Sequence, residues 1–208
     1  MQSVLLIGNV VGYMMDNDGL DGLFGLHRIN GPFLLMCPAG SACSRWLWCW
    51  LQVEQVLPFS VDCTLRIMRL SGTAAGEGSS SGSHLLSHYH FHAWPDHGTP
   101  ESSAGLRAIC RSLSTARATG QPVVVHCSAG IGRTGTFCAI DILLQRFDSW
   151  QTLNDGRGPD RAEVEAALNL PQLVHDLRFQ RMGMVQTLDQ YVFVYKTLLD
   201  DLGARIGR

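Results

Sequence analysis

From about Thr64 onward the order of apolar and polar positions alternates between strand-like and helix-like periods. Thr64 to Leu70 reads as a strand. From His88 to Ala93 the alternation is strict, with Tyr89, Phe91 and Ala93 on one face and the polar His88, His90 and His92 on the other. His88 to Trp94 is therefore expected as the partner strand, joined to the first by the Ser- and Gly-rich tract Ser71 to Ser83, a long hairpin connection. Pro100-Glu101-Ser102-Ser103 opens a helix with Leu106, Ile109 and Leu113 on its apolar face, and Gly120 ends it. The β-branched run Val123-Val124-Val125 reads as a short buried strand, and Phe137, Ile140 and Leu144 then mark a helix. Asn169 with Pro171 caps another helix, carrying Leu173, Val174 and Leu177. A last stripe, Leu188, Val192, Tyr195, Leu199 and Leu202, is expected to face the core. Asp148 to Leu168 is polar, with turn signals at Asn154-Asp155-Gly156 and Gly158-Pro159, and is expected as a surface excursion. The first sixty residues show little periodicity, and there is no internal repeat.

The segment between Val125 and the Phe137 helix carries most of the chemistry: His126-Cys127-Ser128-Ala129-Gly130-Ile131-Gly132-Arg133-Thr134-Gly135. Gly130 and Gly132 let the backbone curl, so that the amides of Ser128, Ala129, Gly130, Ile131, Gly132 and Arg133 can point inward. The helix that follows adds the positive end of its dipole. An oxyanion fits such a cradle without a metal. Cys127 stands where that field is strongest, which should lower a thiol from about 8.5 toward a thiolate at neutral pH, a good phosphorus nucleophile. Arg133 has the planar fork that holds two equatorial phosphoryl oxygens as charge spreads over them, a geometry Lys lacks. Thr134 can hydrogen-bond the sulfur and help it leave, and His126 can hold the loop's shape. The bland alternative is a buried Cys in a Gly-rich turn, but the full ten-residue string is far more specific than a bare Cys-x5-Arg.

That string resembles the signature loop of the Cys-dependent protein tyrosine phosphatases from Val125 to Gly135. The resemblance implies an α/β fold, with a central twisted mixed β-sheet flanked by helices on both faces. It also implies roles for two further segments. Trp94-Pro95-Asp96-His97-Gly98 is similar to the family's mobile acid loop, which makes Asp96 the general acid toward the leaving phenolate and then the general base toward water. Gly183 to Tyr191 is similar to the glutamine loop, with Gln186 and Gln190 positioning the water that hydrolyses the phosphocysteine. Arg178 and Arg181 match the basic run before that loop and are expected to pair with carboxylates. The Gln-Thr-x-x-Gln pattern, absent from the dual-specificity branch, favours the tyrosine-directed one. In this family the thiolate can also close reversibly onto the next backbone nitrogen on oxidation, here that of Ser128.

Composition narrows the class without changing it. The 208 residues are 46% hydrophobic and 16% charged, a globular rather than disordered balance. A net charge of −2 with scattered basic residues argues against nucleic acid or an anionic membrane as partner. The apolar stretches near the start are too short for a membrane span and lack a signal peptide's flanks. Seven cysteines, one of them a nucleophile that must stay reduced, fit a cytoplasmic location. Cys37, Cys43 and Cys49, six apart, match no common zinc spacing, and no cofactor is implied. Expected partners are phosphotyrosyl protein substrates, and oligomeric state is left open.

The resemblance covers residues 64–204, the expected catalytic domain, whereas 1–63 is expected as a divergent or truncated N-terminal part. Two family segments are missing there: a Lys-Asn-Arg-Tyr stretch, whose tyrosine stacks on the substrate ring, and a Tyr-Trp-Pro stretch near a carboxylate that orients the cradle arginine. Arg45 to Leu51 reads as a remnant of the domain's first half or as an unrelated stretch. The leading expectation is a protein tyrosine phosphatase. A phosphotyrosine-binding pseudophosphatase or inactive fragment and a dual-specificity or phosphoinositide phosphatase are the alternatives, the last disfavoured because Ala129, Gly130, Ile131 and Gly132 place no Lys or extra Arg in the cradle.

Overall fold

The computed structural model describes residues 2–7, 11–14, 22–25, 31–36, 46–73, 83–95, 98–121, 123–153 and 160–206, with side chains from Leu51 onward except those of Gly72, Thr73, Leu153, Arg161 and Ile206. The chain divides into two compact units, 1–92 with 115–124, and 93–114 with 125–208.

The first unit is built on a mixed sheet. Seven strands are described: β1 (Gln2–Ile7), β2 (Val11–Met14), β3 (Gly22–Gly25), β4 (Gly31–Met36), β5 (Trp46–Ser60), β6 (Cys63–Thr73) and β7 (Ser83–Phe91). Five of them lie in the order β1-β7-β6-β5-β4, and β2 with β3 forms a separate ribbon. The expected hairpin is present: β6 and β7 pair antiparallel from Cys63 opposite Phe91 to Ser71 opposite Ser83. The tip of its Ser- and Gly-rich connection, 74–82, lies outside the described residues. Period-two burial holds on the apolar face, where Tyr89 and Phe91 are buried along with Cys63 of β6, while Met68, opposite Leu86, is buried on the His88 face. Strands β1 to β5 had little periodic signal to announce them, and β5 follows β6 only through register shifts at Val53/Gln55 and Pro58/Ser60.

Two strand expectations are corrected. The histidine face of β7 is not uniformly polar: His88 is fully buried and His90 half-buried, while His92 is exposed. Burial, then the Arg66 guanidinium, then His92 push the His90 pKa down, so this imidazole stays neutral, the form that costs least to bury. His88 Nδ1 lies 3.4 Å from Arg66 Nη1. The run Val123-Val124-Val125 is not a strand, and Val124 is 50% exposed. Both edges of β7 are already taken, by β6 antiparallel and by β1 parallel, so no ladder position beside β7 is left for it.

The second unit is helical: α1 (Ala104–Ser112), α3 (Gly132–Leu153), α4 (Arg161–Ala167), α5 (Leu170–Gln180) and α6 (Leu188–Ile206), whereas the short α2 (Ser114–Ala118) belongs from Thr115 onward to the first unit. Helix α3 is the hub, packing with α1, α4, α5 and α6. Its Phe137, Ile140 and Leu144 are buried as the period predicts, as are Leu106, Ile109 and Leu113 in and after α1. Asn169 caps α5 as expected, its Oδ1 accepting from the Gln172 amide at 3.0 Å. The polar stretch 148–168 is not a loop excursion throughout. Its first six residues continue α3, and 161–167 form α4 behind an Asp160 cap that accepts from the Ala162 amide. The Asn-Asp-Gly and Gly-Pro signals fall at 154–159, outside the described residues.

The core face of α6 also differs from expectation. Leu188, Val192, Tyr195 and Leu199 are 75%, 55%, 40% and 68% exposed, and Leu202 is half-buried. Phe193, Val194, Thr197, Leu198 and Asp201 face inward instead. Helix α6 has two apolar stripes, and polar anchors choose between them. Asp201, 1% exposed, is bound by Arg107, Arg111 and Arg205, and turning the helix would strip this carboxylate of its partners.

Candidate active site

Helix α3 begins at Gly132, inside the ten-residue string, so its positive end lies at the cradle as expected. Gly130 adopts φ +70°, the left-handed turn that curls the loop, and its amide donates to Cys127 Sγ at 3.2 Å. Gly132 serves a different need from the one expected: its φ is not positive, but a Cβ there would lie 3.0 Å from Gln186 Oε1 and 3.2 Å from Gln190 Nε2. The glycine lets the glutamine loop close on the cradle.

Cys127 is 6% exposed. Burial is the largest influence on its thiol and pushes the pKa up, yet hydrogen bonding from the Thr134 hydroxyl and from the amides of Thr134, Gly130 and Ile131 outweighs it, and the net shift is downward. The buried Thr134 hydroxyl meets no strict hydrogen-bond geometry among the described residues, so it acts on the sulfur as a loosely aligned dipole while the Gly130 amide makes the well-formed bond. His126 is held neutral chiefly by burial, which lets Nδ1–H donate to the Cys127 carbonyl at 3.3 Å and brace the loop.

Arg133 is 6% exposed and forks toward Ser128 and Trp94. Nη2 donates to Ser128 Oγ at 3.1 Å and Nη1 to the Trp94 carbonyl at 3.3 Å. It thereby links the cradle to the start of the Trp-Pro-Asp segment. The far end of that segment is fixed too, because the Gly98 carbonyl accepts from Trp94 Nε1 at 2.9 Å and from Gln190 Nε2 at 3.4 Å. Asp96 and His97, between these ties, lie outside the described residues.

Gln186 is exposed and Gln190 buried. The Gln190 carboxamide is committed: its Oε1 accepts from the amides of Gln186 and Thr187, its Nε2 reaches Gly98, and it thus clasps the glutamine loop to the far end of the Trp-Pro-Asp segment. Cys127, Ser128, Ala129, Gly132, Arg133, Gln186 and Gln190 line one cavity of about 200 Å³. Gly130 acts beside it through its amide, as Ile131 and Thr134 do on the sulfur.

Three features escaped the sequence reading. Among the described residues, Arg178 and Arg181 bind backbone carbonyls rather than the expected carboxylates. Arg178 donates to the carbonyls of Met184 and Val185, and Arg181 Nη2 donates to the Ala129 carbonyl of the cradle at 3.2 Å. Val185, β-branched and buried, sits at φ 59°, a strained position held by its amide's bond to the Ile131 carbonyl at 3.1 Å. A Cβ on Gly135 would collide with the Val185 amide nitrogen, so the first turn of α3 and the glutamine loop meet backbone to backbone. The only hint in the sequence was the arginine spacing and the glycines on either side. Among the described residues, no three His, Cys, Asp or Glu side chains are grouped to hold a metal, and no helix is long and apolar enough to cross a membrane.

Comparison with known proteins agrees with this geometry. The model of the protein-tyrosine phosphatase family matches residues 51–200, and the chain belongs to that family. It is 42% identical over 115 residues to Protein-tyrosine-phosphatase PTP1 of Arabidopsis thaliana, which covers 55% of this chain and 30% of the relative. It is 40% identical over 121 residues to receptor-type tyrosine-protein phosphatase eta of Gallus gallus, covering 57% of this chain and 8% of the relative. The chain thus spans less than a third of the length of these relatives. Among solved structures, the Trypanosoma cruzi protein tyrosine phosphatase TcPTP1 superposes with a TM-score of 0.63 at 25% identity, covering 98% of this chain and 60% of that one. The α/β expectation with a mixed sheet therefore stands.

Proposed function

We propose that this chain hydrolyses phosphotyrosine in proteins through a phosphocysteine intermediate on Cys127. One observation carries the reading: a thiol held below its ordinary pKa receives the Gly130 amide, in a cavity shared with Arg133 and Gln186.

The Cys127 thiolate attacks phosphorus in line while Arg133 and the cradle amides of Ser128 through Arg133 hold the equatorial oxygens. The bond from phosphorus to the phenolic oxygen breaks as Asp96 gives that oxygen its proton. In the second step Asp96 takes a proton from a water oriented by Gln186, the oxygen bonds to phosphorus, and the thiolate leaves with Thr134 beside it. The ties at Trp94 and Gly98 support the role of Asp96, because they anchor both sides of the segment that carries it. Gln190 supports the water site from behind, through its clasp on Gln186 and Gly98.

We read 64–204 as the catalytic part, with phosphotyrosyl proteins as substrates and a reducing, cytoplasmic setting that keeps Cys127 a thiolate. The missing tyrosine-stacking segment favours a second reading, a chain that binds phosphotyrosine without turning it over. Phosphate release from a phosphotyrosyl peptide by the purified chain, with Cys127→Ser as control, separates the two. Release that the variant lacks supports hydrolysis, and peptide binding with no release supports the second reading.

A further inference from the structure

The exposed stripe of α6 has no task in the chemistry above. Leu188, Val192, Tyr195 and Leu199 fall within an arc of about 60° at 100° per residue, on the side of the helix away from Phe193, Val194 and Leu198. Each is at least 40% exposed. A narrow seam of large apolar residues, three or four apart, has the spacing of a helix that packs on another helix.

Charge beside the seam selects the occupant. Asp189 and Lys196 are both exposed and seven residues apart, so they lie on the same flank of the stripe. A two-fold antiparallel pairing of two α6 helices sets Leu188 against Leu199 and Val192 against Tyr195. At 1.5 Å rise per residue, Lys196 of each copy then lies about 3 Å along the axis from Asp189 of the other, and the symmetry makes this opposite-charge pair twice. A parallel pairing in register would instead put the Asp189–Lys196 flanks of the two copies on opposite sides of the seam, where these charges do not meet.

We propose that α6 is a self-association surface, on which a second copy of this chain packs antiparallel along Leu188, Val192, Tyr195 and Leu199 with reciprocal Asp189–Lys196 pairs. The seam is short, so the dimer is reversible and concentration-dependent.

Sedimentation equilibrium of the full chain, over roughly 1–200 µM, tests this. A monomer–dimer equilibrium is expected. Val192→Glu should weaken it by about tenfold or more, since it buries an unpaired charge in the centre of the seam. Lys196→Asp should weaken it by a few-fold, and Asp189→Lys with Lys196→Asp should restore it, because the swapped charges again meet their opposites. Far-UV circular dichroism checks that each variant is folded, and the charge swap decides the matter even if Val192→Glu is not. A chain monomeric throughout, open-ended aggregation without a dimer, a dimer indifferent to Val192→Glu when that variant is folded, or a double swap that fails to restore association would each overturn the proposal. So would a monomer whose stripe binds an added amphipathic helical peptide, which would give the surface to a different partner.

Discussion

Two buried charged sites in the helical unit handle their charge in opposite ways. At Asp201, three guanidinium groups close on one carboxylate: Arg205 at 2.6 Å, Arg107 at 3.7 Å, and Arg111. At Cys127, the Thr134 hydroxyl and the amides of Gly130, Ile131 and Thr134 converge on a sulfur beside a cavity of about 200 Å³ that Arg133 also lines. The first site has spent its field on a partner from its own chain. In the second, Arg133 donates to oxygens of Ser128 and Trp94 and lines a cavity that a tetrahedral oxyanion can fill. A neutral oxygen is a weaker acceptor than a phosphoryl oxygen, so substrate can take the fork over. The lesson is that burial of charge alone does not mark the candidate site; a cavity beside the buried donors does.

Substitutions sort along this contrast. Cys127→Ser should lower turnover by about 10⁴-fold or more while leaving stability near that of the wild type, measured by phosphate release and urea unfolding. Asp201→Ala should do the reverse, costing about 2–3 kcal/mol in urea unfolding by removing a buried carboxylate that ties Arg107, Arg111 and Arg205 together, with kcat of the molecules still folded unchanged. Arg133→Lys keeps the charge and loses the fork, and a drop of about 10²–10³-fold in kcat/KM is expected. Gly135→Ala should destabilise by about 1–3 kcal/mol and also lower kcat, because the added methyl forces the Val185 backbone off the first turn of α3.

The smallest effect is a pH dependence with a definite sign. The Cys127 thiol has a lower pKa folded than unfolded, so its contribution to stability is fully present above the ordinary thiol value and is lost as pH falls through the folded one. The wild type should therefore gain stability over Cys127→Ser as pH rises across that window. A difference that is flat with pH would mean the donors do not act on the sulfur.

How much of this was legible in the sequence depended on distance along the chain. The cradle is contiguous, and the hydrogen-bonded Cys127, the buried Arg133 and the Gly130 turn were readable from ten adjacent residues. The Asn169 cap and the β6–β7 hairpin were equally local. What was not readable depends on contacts between distant segments: Gln190 reaching Gly98, Arg181 reaching Ala129, and Val185 forced to φ 59° beneath Gly135. Helix α6 shows why periodicity alone misled. Its two stripes are similarly apolar, and the choice was made by Asp201, whose partners on α1 no pattern within α6 reveals. The Asp201–Arg205 spacing of four was the one local sign of a buried ion pair there. Val123 to Val125 misled for a related reason, since a β-branched run becomes a strand only where a neighbouring edge is open.

The most direct test of the central claim is to trap the phosphoenzyme by quenching the chain in acid during turnover of a phosphotyrosyl peptide, then to map the labelled residue. The account predicts acid-stable phosphate on Cys127, up to one per chain, accumulating further in Gln186→Ala and absent from Cys127→Ser. Turnover by the wild type with no phosphate on Cys127, or label that persists in Cys127→Ser, would contradict it.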